Sequence, residues 1–328
     1  MSVRRLLCLL TIMGLGTGPT LAQPSAEATP FQVLRLEPSA RTAALSGSFA
    51  AVADGDVSVL FYNPAVPGPA TSRRAAASYL NHLADLNAGS VAYSHTIGGW
   101  GTTLHGGVRF ADWGTFEGRD RNGNPTEDFG AGETVFTIGG ARPLGPQMRY
   151  GANLHVMHAH VEQARAVALA ADLGGVYHVP ERQLTLGATV RHLGGMIDGF
   201  GPTREPLPID LQLGLSKQLA HLPLLLTLTG YDLANVSTGI RGGRTIDHIL
   251  GHLTAGAELQ PGDVLRLRVG YNHRRSKELA LTERFDLAGF GFGFGVTASA
   301  LTVDYAYNSW STLGGLHRFS LQADLGAL

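Results

Sequence analysis

Apolar and polar residues alternate in short segments along most of this chain, and fourteen such segments follow one another from about residue 75 to the C-terminus. Leu265, Leu267, Val269 and Tyr271 share one face of a strand, and Arg266, Arg268, Gly270 and Asn272 the other. Ile209, Leu211, Leu213 and Leu215 repeat the pattern against Asp210, Gln212, Gly214 and Ser216; Phe319, Leu321, Ala323 and Leu325 repeat it against Ser320, Gln322 and Asp324. Phe290, Phe292, Phe294 and Val296 alternate with Gly289, Gly291, Gly293 and Gly295, which a strand sorts cleanly onto two faces and a helix does not.

The connections are unequal in length. Those after odd-numbered segments include long loops at Trp113–Ala131, Gly194–Pro206, Ala234–His248 and Arg274–Glu283, whereas those after even-numbered segments are tight, as at Gly98–Trp100 and Pro261–Gly262. Long loops on one rim and short turns on the other are the pattern of an antiparallel barrel crossing an outer membrane. The expected fold is all-β: a 14-stranded antiparallel transmembrane β-barrel, residues 75–328, with its apolar face toward lipid and its arginines in the lumen. Tyr305, Tyr307, Trp310, Tyr271, Tyr150 and Trp100 fall near strand ends, where interfacial aromatics are expected.

Residues 1–22 read as a signal peptide: Arg4 and Arg5, then the apolar run Leu6 to Leu15, then Thr20-Leu21-Ala22 as a cleavage site. Residues 23–74 do not alternate. Ser39 is a candidate N-cap for a short helix among the small residues up to Ala53, Asp54-Gly55-Asp56 marks a turn, and the segment is expected to fold into the lumen as a plug. Glycines opposite the phenylalanines of the twelfth segment leave room for that plug to press against the wall.

Composition narrows the function. Charged residues make up 16% and the formal net charge is −1, with no basic stripe that would follow phosphates, so nucleic acid is not an expected partner. The single cysteine, Cys8, lies in the signal, so the mature chain has no disulfide or thiolate metal site. No run of eighteen apolar residues follows the signal, which excludes a helical membrane span.

Chemistry-bearing residues are sparse. His158 and His160 share a strand face but lack a third ligand beside them, and Asp120, Asn122 and Asn124 alternate as calcium ligands do without the closing glutamate. Ser94/His95 and His317/Ser320 have spacings that put their side chains on opposite faces of a strand, against a nucleophile–base pair. No catalytic, cofactor or metal residues are assigned, and no enzyme is expected.

Asn63-Pro64-Ala65, preceded by Ser39-Ala40-Arg41-Thr42-Ala43-Ala44-Leu45 and Phe61-Tyr62, resembles the N-terminal signature of the PorV/PorQ family of outer-membrane barrels. Further similarity lies in Thr203-Arg204-Glu205-Pro206-Leu207-Pro208, the strands from Asp210 and Leu265, Leu287-Ala288-Gly289-Phe290, and His317-Arg318-Phe319-Ser320. Two positions depart from it: Ser46 stands where the family usually has glycine, and Pro67 where an aliphatic pair is common.

That family is similar to FadL-type barrels, with fourteen strands and an N-terminal hatch. The resemblance implies an outer-membrane component of the type IX protein secretion system. It would be a non-enzymatic scaffold anchoring a PorZ-like surface protein, in a complex with PorU, PorV-like proteins and outer-membrane lipid or lipopolysaccharide. Loops presented by a rigid barrel carry recognition, so Arg204, Glu205, Arg241, Arg244 and Asp247 are the candidate partner-binding residues. The alternative is a FadL-like transporter of hydrophobic compounds, which requires an apolar path past the plug.

Overall fold

The computed structural model describes residues 31–47, 49–81, 86–120, 122–201, 205–236, 245–279, 286–310 and 314–327. Residues 1–22, read above as a signal peptide, lie outside them. Fourteen strands close into one antiparallel barrel, each paired with its sequence neighbours and β1 with β14. They are β1 (Arg74–Asn81), β2 (Asn87–Ile97), β3 (Thr102–Phe116), β4 (Phe129–Pro143), β5 (Met148–Val161), β6 (Ala164–Val179) and β7 (Leu184–Asp198). β8 (Asp210–Gln218), β9 (Leu224–Gly230), β10 (Leu253–Leu259), β11 (Leu265–Asn272), β12 (Phe290–Ala298), β13 (Leu301–Ser309) and β14 (Gly315–Asp324) complete the wall.

Side-chain direction follows the pleat as the alternation requires. Leu265, Leu267 and Val269 point outward, whereas Arg268 and Asn272 are buried on the inside. Phe292 and Phe294 are 37% and 45% exposed on the outer surface, with Gly291 and Gly293 on the inner one. An exterior of this length in Leu, Val, Ile and Phe is costly in water and at home in lipid.

Two details differ from the sequence-based expectation. β3 continues to Phe116 and β4 starts at Phe129, so the connection is shorter than Trp113–Ala131; the stacked rings of Phe116 and Phe129, 5.5 Å apart, extend the pair beyond a bulge. β7 likewise runs on to Asp198. Two of the long connections contain helices, α2 (Thr245–Leu250) and α3 (His273–Leu279).

Most of residues 31–47 and 49–68 are buried against the inner face of the wall. Their one α-helix, α1 (Ala40–Ala44), is far shorter than a reading up to Ala53 suggests. Ser39 caps it: its Oγ accepts from the Thr42 N–H, and the Thr42 hydroxyl accepts from the Ser39 N–H. It stops because Ser46 (φ 54°) and Gly47 (φ 82°) turn left-handed, with Gly47 N–H donating to Thr42 O and Ser46 N–H to Ala43 O. That double bond pattern is a Schellman ending, whose first left-handed position favours glycine; Ser46 occupies it here.

Candidate functional site: a plugged lumen and an opening in its wall

The luminal segment sits on a bed of glycines. A Cβ on Gly293 would meet the Ala44 Cβ at 2.6 Å, and one on Gly291 the Ala43 carbonyl at the same distance. On the far side Gly187 and Gly214 face Ala50, while Gly151 and Gly174 face Pro64 and Asn63. Backbone or short side chains of the segment therefore lie directly on the wall's backbone at these points, an approach only glycine allows.

Polar anchors then fix the segment in place. Asn63 is fully buried; its amide donates to Ala50 O (2.8 Å) and Gly175 O (3.3 Å), and its Oδ1 accepts from the Ala65 N–H (3.0 Å). The Asn-Pro-Ala element is thus a local turn tied to β6. Arg109 of β3 donates to the carbonyls of Val33 and Leu36, Asn308 of β13 to Ala43 O, and Ser320 of β14 accepts from the Ala40 N–H.

A chain of charges runs across the lumen. Arg41 of α1 pairs with Glu258 of β10 and with Asp54, and Arg268 of β11 pairs with Glu258 and Asp304. Each buried ion thus has an opposite partner, the condition under which buried charge is tolerated. Glu37 reaches up to Arg275 on α3 at 2.5 Å, linking the plug to the long-loop rim.

Near that rim the lumen becomes apolar. Phe31, Val33 and Leu34 pack against inward residues of the wall, including Leu80, Val135, Met157 and Leu316. Beside this cluster the β3–β4 register shifts at a bulge. Pairing of β3 with β4 goes from Asp112↔Gly132 to Thr115↔Gly130, so Trp113 and Gly114 stand against Ala131 alone, and Gly114 has a φ of 80°. A cavity of about 570 Å³ occupies the bulge. Its lining includes inward-facing Ala111 and Glu133 together with outward-facing Phe110 and His160, so residues of both sheet faces border it. The Glu133 carboxylate accepts from the Val33 N–H at 2.6 Å, which places the opening directly against the apolar compartment.

The other candidate groups are structural in character. Ser94 is buried and donates to Thr71 O, and His317 points outward while Ser320 points inward, so neither serine meets the histidine near it in sequence. The His158 and His160 rings lie 6.2 Å apart on the outer face, and no group of three metal-binding side chains occurs among the described residues. Asp120 accepts from the backbone of Asn122 and Asn124 and from the Asn124 amide, bonds that close its turn and hold its carboxyl below the usual range. Arg204, Arg241 and Arg244 lie outside the described residues. Glu205 is exposed, whereas Asp247 is buried between His273 (3.1 Å) and Lys277 (3.4 Å) and holds α2 against α3. The bulge opening and the Arg41–Glu258 contact were not among the candidates; the Trp113-Gly114 break in alternation was the one local trace of the opening.

The sequence matches no protein-family model and no curated protein. Solved structures do match its fold. The Pseudomonas putida toluene transporter TodX superposes with a TM-score of 0.57 at 12% identity, covering 88% of this chain and 97% of that one. The Ralstonia pickettii toluene transporter TbuX gives 0.56 at 12%, covering 88% and 98%. A Pseudomonas aeruginosa FadL homologue gives 0.52 at 11%, with the same coverage of 88% and 98%. The likeness is one of fold: the closed antiparallel barrel of this chain superposes on theirs over most of its length.

Proposed function

We propose that this protein is an outer-membrane transporter of small hydrophobic compounds that leave the lumen sideways, through the bulge between β3 and β4. The observation that carries this reading is the cavity at the β3–β4 bulge, bordered by residues of both sheet faces and adjoining the apolar packing of Phe31, Val33 and Leu34. A hydrophobic molecule gains about 25 cal/mol per Å² on leaving water for such a compartment. From there it reaches lipid without crossing the charged region around Arg41. The phenylalanines of β12 face lipid and take no part in the route, and the plug need not unfold. The transporters named above share the fold, which supports the reading.

Deleting Gly114 tests it, because removal of the extra residue restores a continuous β3–β4 ladder. Cells bearing that variant are expected to lose uptake of toluene-like compounds while keeping the barrel in the membrane. Unchanged uptake would show that the opening is not the route.

A second reading, the secretion scaffold, draws on the sequence resemblance and on one structural feature. The plug is braced both to the wall and, through Glu37 and Arg275, to the helix-bearing rim, which suits a rigid platform for a PorZ-like surface partner. Recovery of such a partner in gentle detergent, together with normal hydrocarbon uptake in a deletion strain, would favour it over transport.

A further inference from the structure

We infer that the wall opening selects hydrophobic molecules with an uncharged, hydrogen-bond-donating head, such as a hydroxyl, and rejects carboxylates. This deepens the transport reading and rests on it. Asp112 and Glu133 both line the cavity, Asp112 from the exposed outer face and Glu133 from the buried inner one. Among the described residues no lysine or arginine lines it, though Arg165 on β6 stands opposite His160. The cation nearest in β3, Arg109, is turned inward and committed to the carbonyls of Val33 and Leu36. His160 lines the opening too, and the two carboxyl groups outnumber it.

A carboxylate entering this space meets like charges within a few ångströms, in a setting less polar than water, where such repulsion is far from fully screened. A hydroxyl meets acceptors instead. Backbone bonds hold both acids in place: Asp112 Oδ1 accepts from the Gly114 N–H at 3.0 Å, and Glu133 Oε2 from the Val33 N–H. The Glu133 carboxylate also accepts from the Gln32 backbone and the Trp113 side chain, so Glu133→Gln removes charge together with part of this set, whereas Asp112→Asn removes charge with little change of shape.

Trp113, in the bulge itself, supplies a local reporter. In full-length protein carrying Trp100→Phe and Trp310→Phe, its fluorescence is titrated with 10-bromodecan-1-ol and with 10-bromodecanoate, which differ only at the head. The alcohol is expected to quench saturably, at least about tenfold more tightly than the carboxylate, and the D112N/E133Q double variant to bring the two within about threefold. Equal quenching by both probes in the parent protein overturns the selectivity and leaves transport standing. A preference that persists in the double variant overturns the role of these two residues. Saturable quenching by neither probe overturns the selectivity and the sideways route together.

Discussion

The guanidinium of Arg41, on the luminal helix, holds the carboxylate of Glu258, on β10, through two hydrogen bonds of 2.8 and 2.9 Å. The two residues are 217 positions apart in sequence. Glu258 also accepts from Arg268, and Arg41 also binds Asp54. Neither partner is therefore left bare when the other is removed. Arg41→Met is expected to destabilise the folded barrel by about 2–3 kcal/mol, below the 3–5 typical of an isolated buried pair. Glu258→Gln should cost less, and a double-mutant cycle should give a coupling of about 1–3 kcal/mol in urea unfolding from lipid.

Asn63 offers a sharper test of the plug. Its three bonds are made in full burial, and Asn63→Ala leaves the Ala65 N–H without its side-chain acceptor and the Ala50 carbonyl without the amide donor. A loss of about 2–4 kcal/mol is expected from the unmade bonds and the void. Accelerated protease cleavage between residues 50 and 70 would report it. Cleavage at the parent rate would mean that the glycine bed alone retains the segment.

Ser46→Gly should act in the other direction. The φ of 54° is a left-handed value that a serine reaches at some cost and a glycine freely. The hydroxyl gives up only a long 3.4 Å contact to Gly289 O. A gain of about 0.5–1 kcal/mol is expected, read as a shift of the urea midpoint without change of slope.

Leu267→Arg tests which way the sheet faces. Leu267 points outward beside Phe294, and an arginine there should cost about 2–4 kcal/mol if near the bilayer midplane. The same substitution would be mild on a water-filled face, so near-neutral unfolding data would contradict the orientation.

The Glu37–Arg275 bond should give the rim an acid-sensitive tie. Burial pushes the Glu37 carboxyl up, but the charge and hydrogen bond of Arg275 outweigh it and hold the group below its ordinary 4.5. A depressed carboxyl stabilises the fold fully above that value, and the contribution is lost as pH falls through the lower folded one. A spin label at Ile246→Cys on the exposed side of α2 is expected to gain mobility only at pH below 4.5, and Glu37→Gln to abolish the step.

How much of this could be read in the sequence depends on range. The strands, their facing and the cap at Ser39 follow from contacts among near neighbours, so the pattern of Leu265 to Asn272 was enough to orient its strand. The glycines of β12 signalled a close neighbour on the inside without naming it. Arg41 and Glu258 could not be paired, because nothing local to either distinguishes a luminal salt bridge from a solvated charge. Asp247 is a similar case: charge in a long loop reads as surface, and contacts with His273 and Lys277 bury it instead. The bulge escaped because Trp113-Gly114 breaks the alternation just as a strand end does.

The glycine bed also bears on how the molecule is made. The plug precedes β1 in the chain, yet it touches the wall from Arg109 on β3 round to Ser320 on β14. Contacts without Cβ clearance leave no slack for threading a finished cylinder. Seating the segment while the seam between β1 and β14 is still open, before Arg74 joins Asp324 along it, avoids that threading. In that order the N-terminal segment would serve as the mandrel around which the sheet is wound.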